Sequence, residues 1–287
     1  MSDAKLYNEL ASIWEILVSE EEYIPEAEFI KRMVKRFKKT TGNTLLDVGC
    51  GGGHHDLLLK NDFQVVGVDR NEKMLEFAQR RNPEIEYHRG DMRTFHLNKK
   101  FDVVLAMDMI MYNLTYSDLE RTLVNFSNHL QVGGVMIFFF EDLKEKFEQN
   151  MTRFKKHHKG NIEAVLIENH YDPNPDDTEF EKYLIFLIRE SGKFRIEVDL
   201  HRVGLFELDK LLEICNKLNL KTHLFELDFS GKEYQKEGPV FVCEKLAKNS
   251  PPLLKREGGM KRGKFLYVGL QPAGGLPNRN NNLRKTI

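Results

Sequence analysis

Cysteine is scarce in this 287-residue chain, and long apolar runs are missing altogether. The three cysteines, Cys50, Cys215 and Cys243, have no paired spacing, which argues against disulfides and zinc and makes them small core residues. No run of about 18 apolar residues exists to cross a membrane. The start, Met1-Ser2-Asp3-Ala4-Lys5, lacks the apolar core of a signal peptide, so a soluble, cytoplasmic protein is expected. Net charge is nearly absent too, at −1, but unevenly spread. Residues 250–287 hold eight Lys or Arg and one Glu, so they carry +7 and the preceding 249 residues carry −8. This tail is rich in Pro, Gly and Asn without periodicity, and reads as a basic, disordered extension beyond a domain ending at 249. With Phe265 and Tyr267 as its only aromatics, behind an acidic body, it makes nucleic acid an unfavoured partner.

The dinucleotide-binding order G-x-G-x-x-G is also missing. In its place stands Leu45-Leu46-Asp47-Val48-Gly49-Cys50-Gly51-Gly52-Gly53, an apolar strand running through an acid into alternating glycines and then a helix. Glycines serve where backbone takes positive φ or approaches a ligand closely. A second strand, Gln64 to Val68, ends in Asp69, 22 residues after Asp47, where a carboxylate suits two vicinal ribose hydroxyls. A helix over Asn71 to Arg81 follows, with Met74, Leu75 and Ala78 on one face; Asp69 could also cap it. Then come a short strand Ile85 to His88, the turn Gly90-Asp91-Met92, a strand Phe101 to Met107, and the apolar run Val135 to Phe140 of a doubly buried parallel strand. Five strand-then-helix units in about 140 residues predict an α/β doubly wound sheet.

The order Asp-x-Gly-x-Gly-x-Gly, with acids at 69 and 91, resembles the class I S-adenosylmethionine-dependent methyltransferases. The resemblance implies a Rossmann-like seven-stranded sheet with helices on both faces. It also implies that S-adenosylmethionine is held by Asp47, Gly49, Gly51, Asp69, Arg70 and Met74, with Asp91 at the adenine amino group, Met92 over the ring, and Met107 at a strand exit. Before the sheet, residues 1–40 read as two cap helices between Tyr7 and Phe37, with Pro25 in the first turn of the second. Leu6-Tyr7-Asn8, Glu22-Tyr23, Glu26-Ala27 and Gly90-Asp91-Met92-Arg93 narrow the resemblance to N,N-dimethyltransferases of nucleotide-linked deoxysugars and, more distantly, glycine N-methyltransferases. In those relatives the tyrosines matching Tyr7 and Tyr23 close over the cofactor.

After the fifth strand, residues 160–206 read as an antiparallel lid insertion of three strands, Glu163 to Tyr171, Glu179 to Arg189 and Phe194 to Phe206. The family likeness implies that this lid covers the pocket and helps form a homodimer. A helix Glu207 to Asn219 and strands Lys221 to Asp228 and Pro239 to Glu244 complete the sheet.

The methyl of a sulfonium is already activated, so the protein aligns a lone pair behind it, excludes water and, where needed, supplies a base. Ligands bind outside the carboxyl ends of strands, which makes Asp108 a base or cation-holding carboxylate and Tyr112 a hydrogen-bonding ring. His201 would be a base delivered from the lid. No set of ligands has metal spacing; His54 and His55 are adjacent and point apart on a helix, so no metal is expected. Met107 to Asn113 lacks the Asn/Asp-Pro-Pro-Tyr signature of base and protein amide N-methyltransferases, and differs from the Ser-rich segment of the deoxysugar enzymes. The reading is methyl transfer to an amine or hydroxyl of a small molecule, a nucleotide-linked amino sugar among the candidates. The alternatives are a tRNA or rRNA methyltransferase and an inactive cofactor-binding subunit.

Overall fold

Two kinds of apolar pattern, continuous runs and alternating runs, build two different sheets. The computed structural model describes residues 4–228 and 237–247; the basic tail lies outside the described residues. Continuous runs form the central strands of the first sheet, which comprises β1 (Thr44–Val48), β2 (Gln64–Asp69), β3 (Glu86–Arg89), β4 (Phe101–Ala106), β5 (Leu130–Phe139), β10 (Leu220–Asp228) and β11 (Glu237–Lys245). Their spatial order is β10-β11-β5-β4-β1-β2-β3, with β11 antiparallel to both its neighbours. β4 is buried at every residue, as a central parallel strand covered on both faces must be. One face packs under α5 (Tyr116–His129) and α6 (Leu208–Lys217), the other under α2 (Glu20–Phe37). The seven-stranded α/β sheet expected from the sequence is therefore present. Cys50, Cys215 and Cys243 are all buried and unpaired.

Several local expectations differ. β3 passes to β4 through turns with no helix between, so the strand-then-helix alternation lapses once. The helix after β2 is α4 (Glu72–Arg81), and its cap is Asn71, whose side chain accepts the Met74 N–H; Asp69 accepts the Asn71 N–H instead. The N-terminal segment has a short 3-10 turn (Lys5–Tyr7) before α1 (Ala11–Leu17) and α2. Pro25 sits inside α2 rather than in its first turn, because Glu20, Glu21 and Glu22 extend the helix N-terminally, where acids suit the dipole.

The alternating runs make the second sheet, which has four strands, not three: β6 (Thr152–Lys159), β7 (Ile162–Tyr171), β8 (Glu179–Glu190) and β9 (Lys193–Gly204), antiparallel in sequence order. β6 was hidden because Thr-Arg-Phe-Lys-Lys-His-His-Lys reads as a solvated charge run. In the fold its Arg153 is paired with Glu141 and Glu168, and its buried Lys155 with Glu22. The inner face of this sheet packs Ala164, Leu166, Leu184, Phe186 and Ile188 onto Leu6, Leu10, Ile13 and Leu17. That joins lid and N-terminal segment into one cover over the carboxyl ends of β1, β2, β4 and β5.

Candidate functional site

Three glycines bend the chain between β1 and α3 (His54–Leu59): Gly49, Gly51 and Gly53 have φ of +74°, +52° and +74°. A Cβ on Gly49 would lie 2.1 Å from Met109 Cγ, so the loop is open only because the side chain is absent. Asp69, at the end of β2, accepts the Gly51 N–H at 3.0 Å and the Asn71 N–H at 2.8 Å. Burial pushes its carboxyl up, against the pull of those N–H groups. Asp91 is held by Arg93, whose Nε and Nη2 donate to its two oxygens at 2.9 and 2.7 Å; that pairing takes its carboxyl down to about 2.

Asp47 is buried and lies against Asp56 of α3. Burial, then the Asp56 carboxylate, push its carboxyl well above the usual range. Asp56 Oδ2 accepts from the Tyr87 hydroxyl at 2.9 Å, whereas buried Oδ1 has no N–H or hydroxyl donor. A proton shared between the two carboxyls satisfies both, as expected for like charges that cannot both ionise out of water.

One cavity of about 1090 Å³ joins this loop to the cover. Asp47, Gly49, Gly51, Asp69, Arg70, Met74, Asp91, Met92 and Met107 line one part. Tyr7, Tyr23, Asp108, Tyr112 and His201 line the other, so every candidate site residue falls on its wall. Tyr7 Oη and Tyr112 Oη are 2.7 Å apart, Tyr112 Oη is 2.7 Å from His201 Nδ1, and His201 Nε2 is 2.9 Å from Asp199 Oδ2. Tyr23 lies flat on His54, with ring centroids 4.7 Å apart, and edge-on to His55 at 4.9 Å.

Sequence reading missed the partners of these groups. Asp199 shares the inner face of β9 with His201, and the Asp-x-His alternation was its available signal. Lys182 of β8, bridging Glu141 at 2.6 Å and Glu168 at 3.2 Å, carried none. His54 and His55 do bind different carboxylates, Glu15 and Glu26, yet both contact Tyr23. Folding also gathers Glu26, His55 and Asp108, and separately Glu141, Glu168 and His170, each set with ligand atoms within 4.8 Å. Spacing along the chain does not reveal such sets. In the second, Arg153 and Lys182 already neutralise the carboxylates.

Residues 45–134 match the family described as "Methyltransferase domain". The dTDP-3-amino-3,4,6-trideoxy-alpha-D-glucopyranose N,N-dimethyltransferase of Streptomyces venezuelae is 36% identical over 118 residues, covering 40% of this chain and 49% of that protein. The chain thus spans about half the length of the curated deoxysugar relatives it matches. A putative methyltransferase of Geobacillus is 26% identical over 83% of this chain and 99% of its own length. Among solved structures, Streptomyces venezuelae DesVI superposes with a TM-score of 0.68 at 25% identity, covering 77% of this chain and 91% of that one. The fold is shared by an S-adenosylmethionine-bound amino pentose methyltransferase from Micromonospora echinaspora, TM-score 0.68 at 20% identity, over 78% of this chain and 91% of that chain. Fold, motif order and sequence are thus similar to those of the class I S-adenosylmethionine-dependent methyltransferases, the deoxysugar N,N-dimethyltransferases among them.

Proposed function

We propose that this chain is an S-adenosylmethionine-dependent N-methyltransferase whose acceptor is a primary or secondary amine on a small molecule of the nucleotide-linked amino sugar class. The observation that carries this is the single cavity with the glycine loop and Asp69 in one part and a wall of aromatic rings and carboxylates in the other. An amine is the acceptor such a wall suits, through ring faces and acids together.

The cofactor end fits the group. Asp69 keeps lone pairs on both oxygens for vicinal hydroxyls, Gly49 leaves room where a side chain would intrude, and the buried thioether of Met92 offers an apolar surface to a base. No phosphate needs neutralising, so Asp47 and Asp69 are tolerable beside a sulfonium. When bound, S-adenosylmethionine supplies an electrophilic methyl. Tyr23, pinned between His54 and His55, and Tyr7, pinned by Tyr112, limit the room above it and shed water. Asp108 holds the acceptor's cationic form, and His201 receives a proton. The lid, 152–204, and the cap, 4–37, close the acceptor end.

The outer face of the lid sheet exposes Phe194, Ile196, Val198 and Leu200 in alternation along β9, and Phe154 on β6, a patch that suits a second copy of the chain. No helix among the described residues is long and apolar enough to cross a membrane.

The test is methyl transfer from labelled cofactor to three acceptors in parallel: a dTDP-linked 3-amino deoxysugar, its 3-hydroxyl analogue, and bulk tRNA. Transfer to the amino sugar alone supports the proposal. Transfer to tRNA alone, lost on removing 250–287, would replace it with the RNA reading, and cofactor binding without transfer to any cell metabolite with the inactive-subunit reading.

A further inference from the structure

We propose that Tyr7, Tyr112, His201 and Asp199 form a directional proton relay that carries the acceptor's proton from the cavity to the His201 imidazole. It rests on the amine-methyltransferase reading above. The four groups come from three separate elements, the N-terminal 3-10 turn, the 3-10 turn after β4 (Ile110–Tyr112), and β9 of the lid. Successive heavy atoms are 2.7, 2.7 and 2.9 Å apart, and all four residues line the cavity.

The direction follows from what each group can do. Burial pushes the Asp199 carboxyl up, but hydrogen bonds from His201 and from the Leu6 N–H, at 2.7 Å, outweigh it and hold the group below the usual carboxylate range. An ionised carboxylate only accepts, so His201 donates from Nε2. Neutral imidazole then presents Nδ1 as an acceptor, so Tyr112 donates to it, and Tyr7 donates to Tyr112. The remaining lone pair of Tyr7 Oη is left for a donor in the cavity. Burial pushes both tyrosine hydroxyls up, so neither serves as a resting phenolate. They pass protons, and the sink is His201. The charged groups around them fit this: Tyr7 faces Asp69 and Asp108, Tyr112 faces Glu168, and Lys5 lies beside Asp199 and Glu197.

In the reaction the C–N bond forms from the amine lone pair as the C–S bond breaks, its electron pair remaining on sulfur. The resulting methylammonium gives an N–H proton to Tyr7 Oη, while Tyr7's own proton passes to Tyr112 and that of Tyr112 to His201 Nδ1. The products are the methylated amine, S-adenosylhomocysteine and an imidazolium paired with Asp199. A second methylation on the same nitrogen needs this step, because only the deprotonated amine has a lone pair to offer. Asp199 touches no reacting atom and is a positioning residue.

Nitrogen NMR on the full chain with isotope-labelled histidines, His201 being assigned among the ten by its loss in His201→Gln, reads the orientation without turnover. The expected neutral form carries its proton on Nε2; a proton on Nδ1 would reverse every bond of the chain and overturn the proposal. With the dTDP-linked 3-amino sugar as acceptor, Tyr7→Phe keeps the ring but cuts the relay, so kcat should fall about 100-fold while KM for the sugar stays within a few-fold. Undiminished kcat in that variant would overturn it. Asp199→Ala removes the acceptor that holds the proton on Nε2, so the Nδ1-protonated form should appear in that variant's nitrogen spectrum; an unchanged spectrum is contrary to the proposal. Wild-type protein that binds S-adenosylhomocysteine but leaves the sugar unmethylated would count against the amino sugar reading, and the tautomer would still decide the relay.

Discussion

The Asp69 carboxylate accepts the Gly51 N–H at 3.0 Å, which ties the acid ending β2 to the glycine turn leaving β1. Each element thereby sets the other's position, and the pair presents one face to the cavity. In Asp69→Ala, the Gly51 and Asn71 N–H groups lose their acceptor and the ribose hydroxyls lose theirs. Affinity for S-adenosylhomocysteine should fall by about 2 kcal/mol, roughly 30-fold. Calorimetry returning wild-type affinity would remove Asp69 from the cofactor site.

The glycine-loop half of the candidate site was legible in the sequence because its residues lie in short spans. Asp47 to Gly53, Asp69 and Gly90-Asp91-Met92 each occupy a strand end, so local order suffices. The acceptor half was legible only as isolated residues. Tyr7, Tyr112 and His201 were all named, but the hydrogen bonds joining them span 105 and 89 positions. β6 was lost for the opposite reason: charge along a strand signals solvent unless its partners, here Glu22, Glu141 and Glu168, are known to lie across from it. Likewise Asp69 looked like a cap because Asn71, a better one, stands only two residues further on.

Gly49 and Gly51 should respond differently to the same change. A Cβ on Gly51 meets nothing nearer than Met74 Cε at 3.6 Å, so Gly51→Ala carries only the cost of left-handed backbone, about 1–2 kcal/mol. Gly49→Ala adds a collision with Met109 Cγ and Cβ, about 1–3 kcal/mol more. Chemical denaturation of the two variants measures the gap, and equal losses would contradict the close packing of Met109 on this loop.

The Asp47–Asp56 pair predicts how stability depends on pH. The folded state raises these carboxyls, so above the ordinary carboxylate range it holds a proton that the unfolded chain has already released. Stability therefore falls as pH rises through that range and towards the raised value, the slope following the excess of bound protons in the fold. Asp56→Asn removes one charge and supplies an amide donor to Asp47. Its melting temperature relative to wild type should climb as pH rises above the ordinary carboxylate range. Parallel curves for the two proteins would mean that no proton is shared.

The apolar face of the lid predicts an assembly. Along β9 the inward residues Asp199 and His201 serve the cavity, while Ile196, Val198 and Leu200 are 56%, 48% and 45% exposed on the opposite face. Their register neighbours Leu187, Ile185 and Tyr183 on β8 continue the same face. Covering it with a second copy would remove from water an area that a solitary chain leaves wet, at about 25 cal/mol per Å². A lysine in the middle of that face would have to be buried unpaired, so Val198→Lys should turn a dimer into a monomer in sedimentation. Because Val198 points away from the cavity, S-adenosylhomocysteine affinity should stay within about threefold. A wild-type chain that sediments as a monomer at high concentration would rule out self-association through this face.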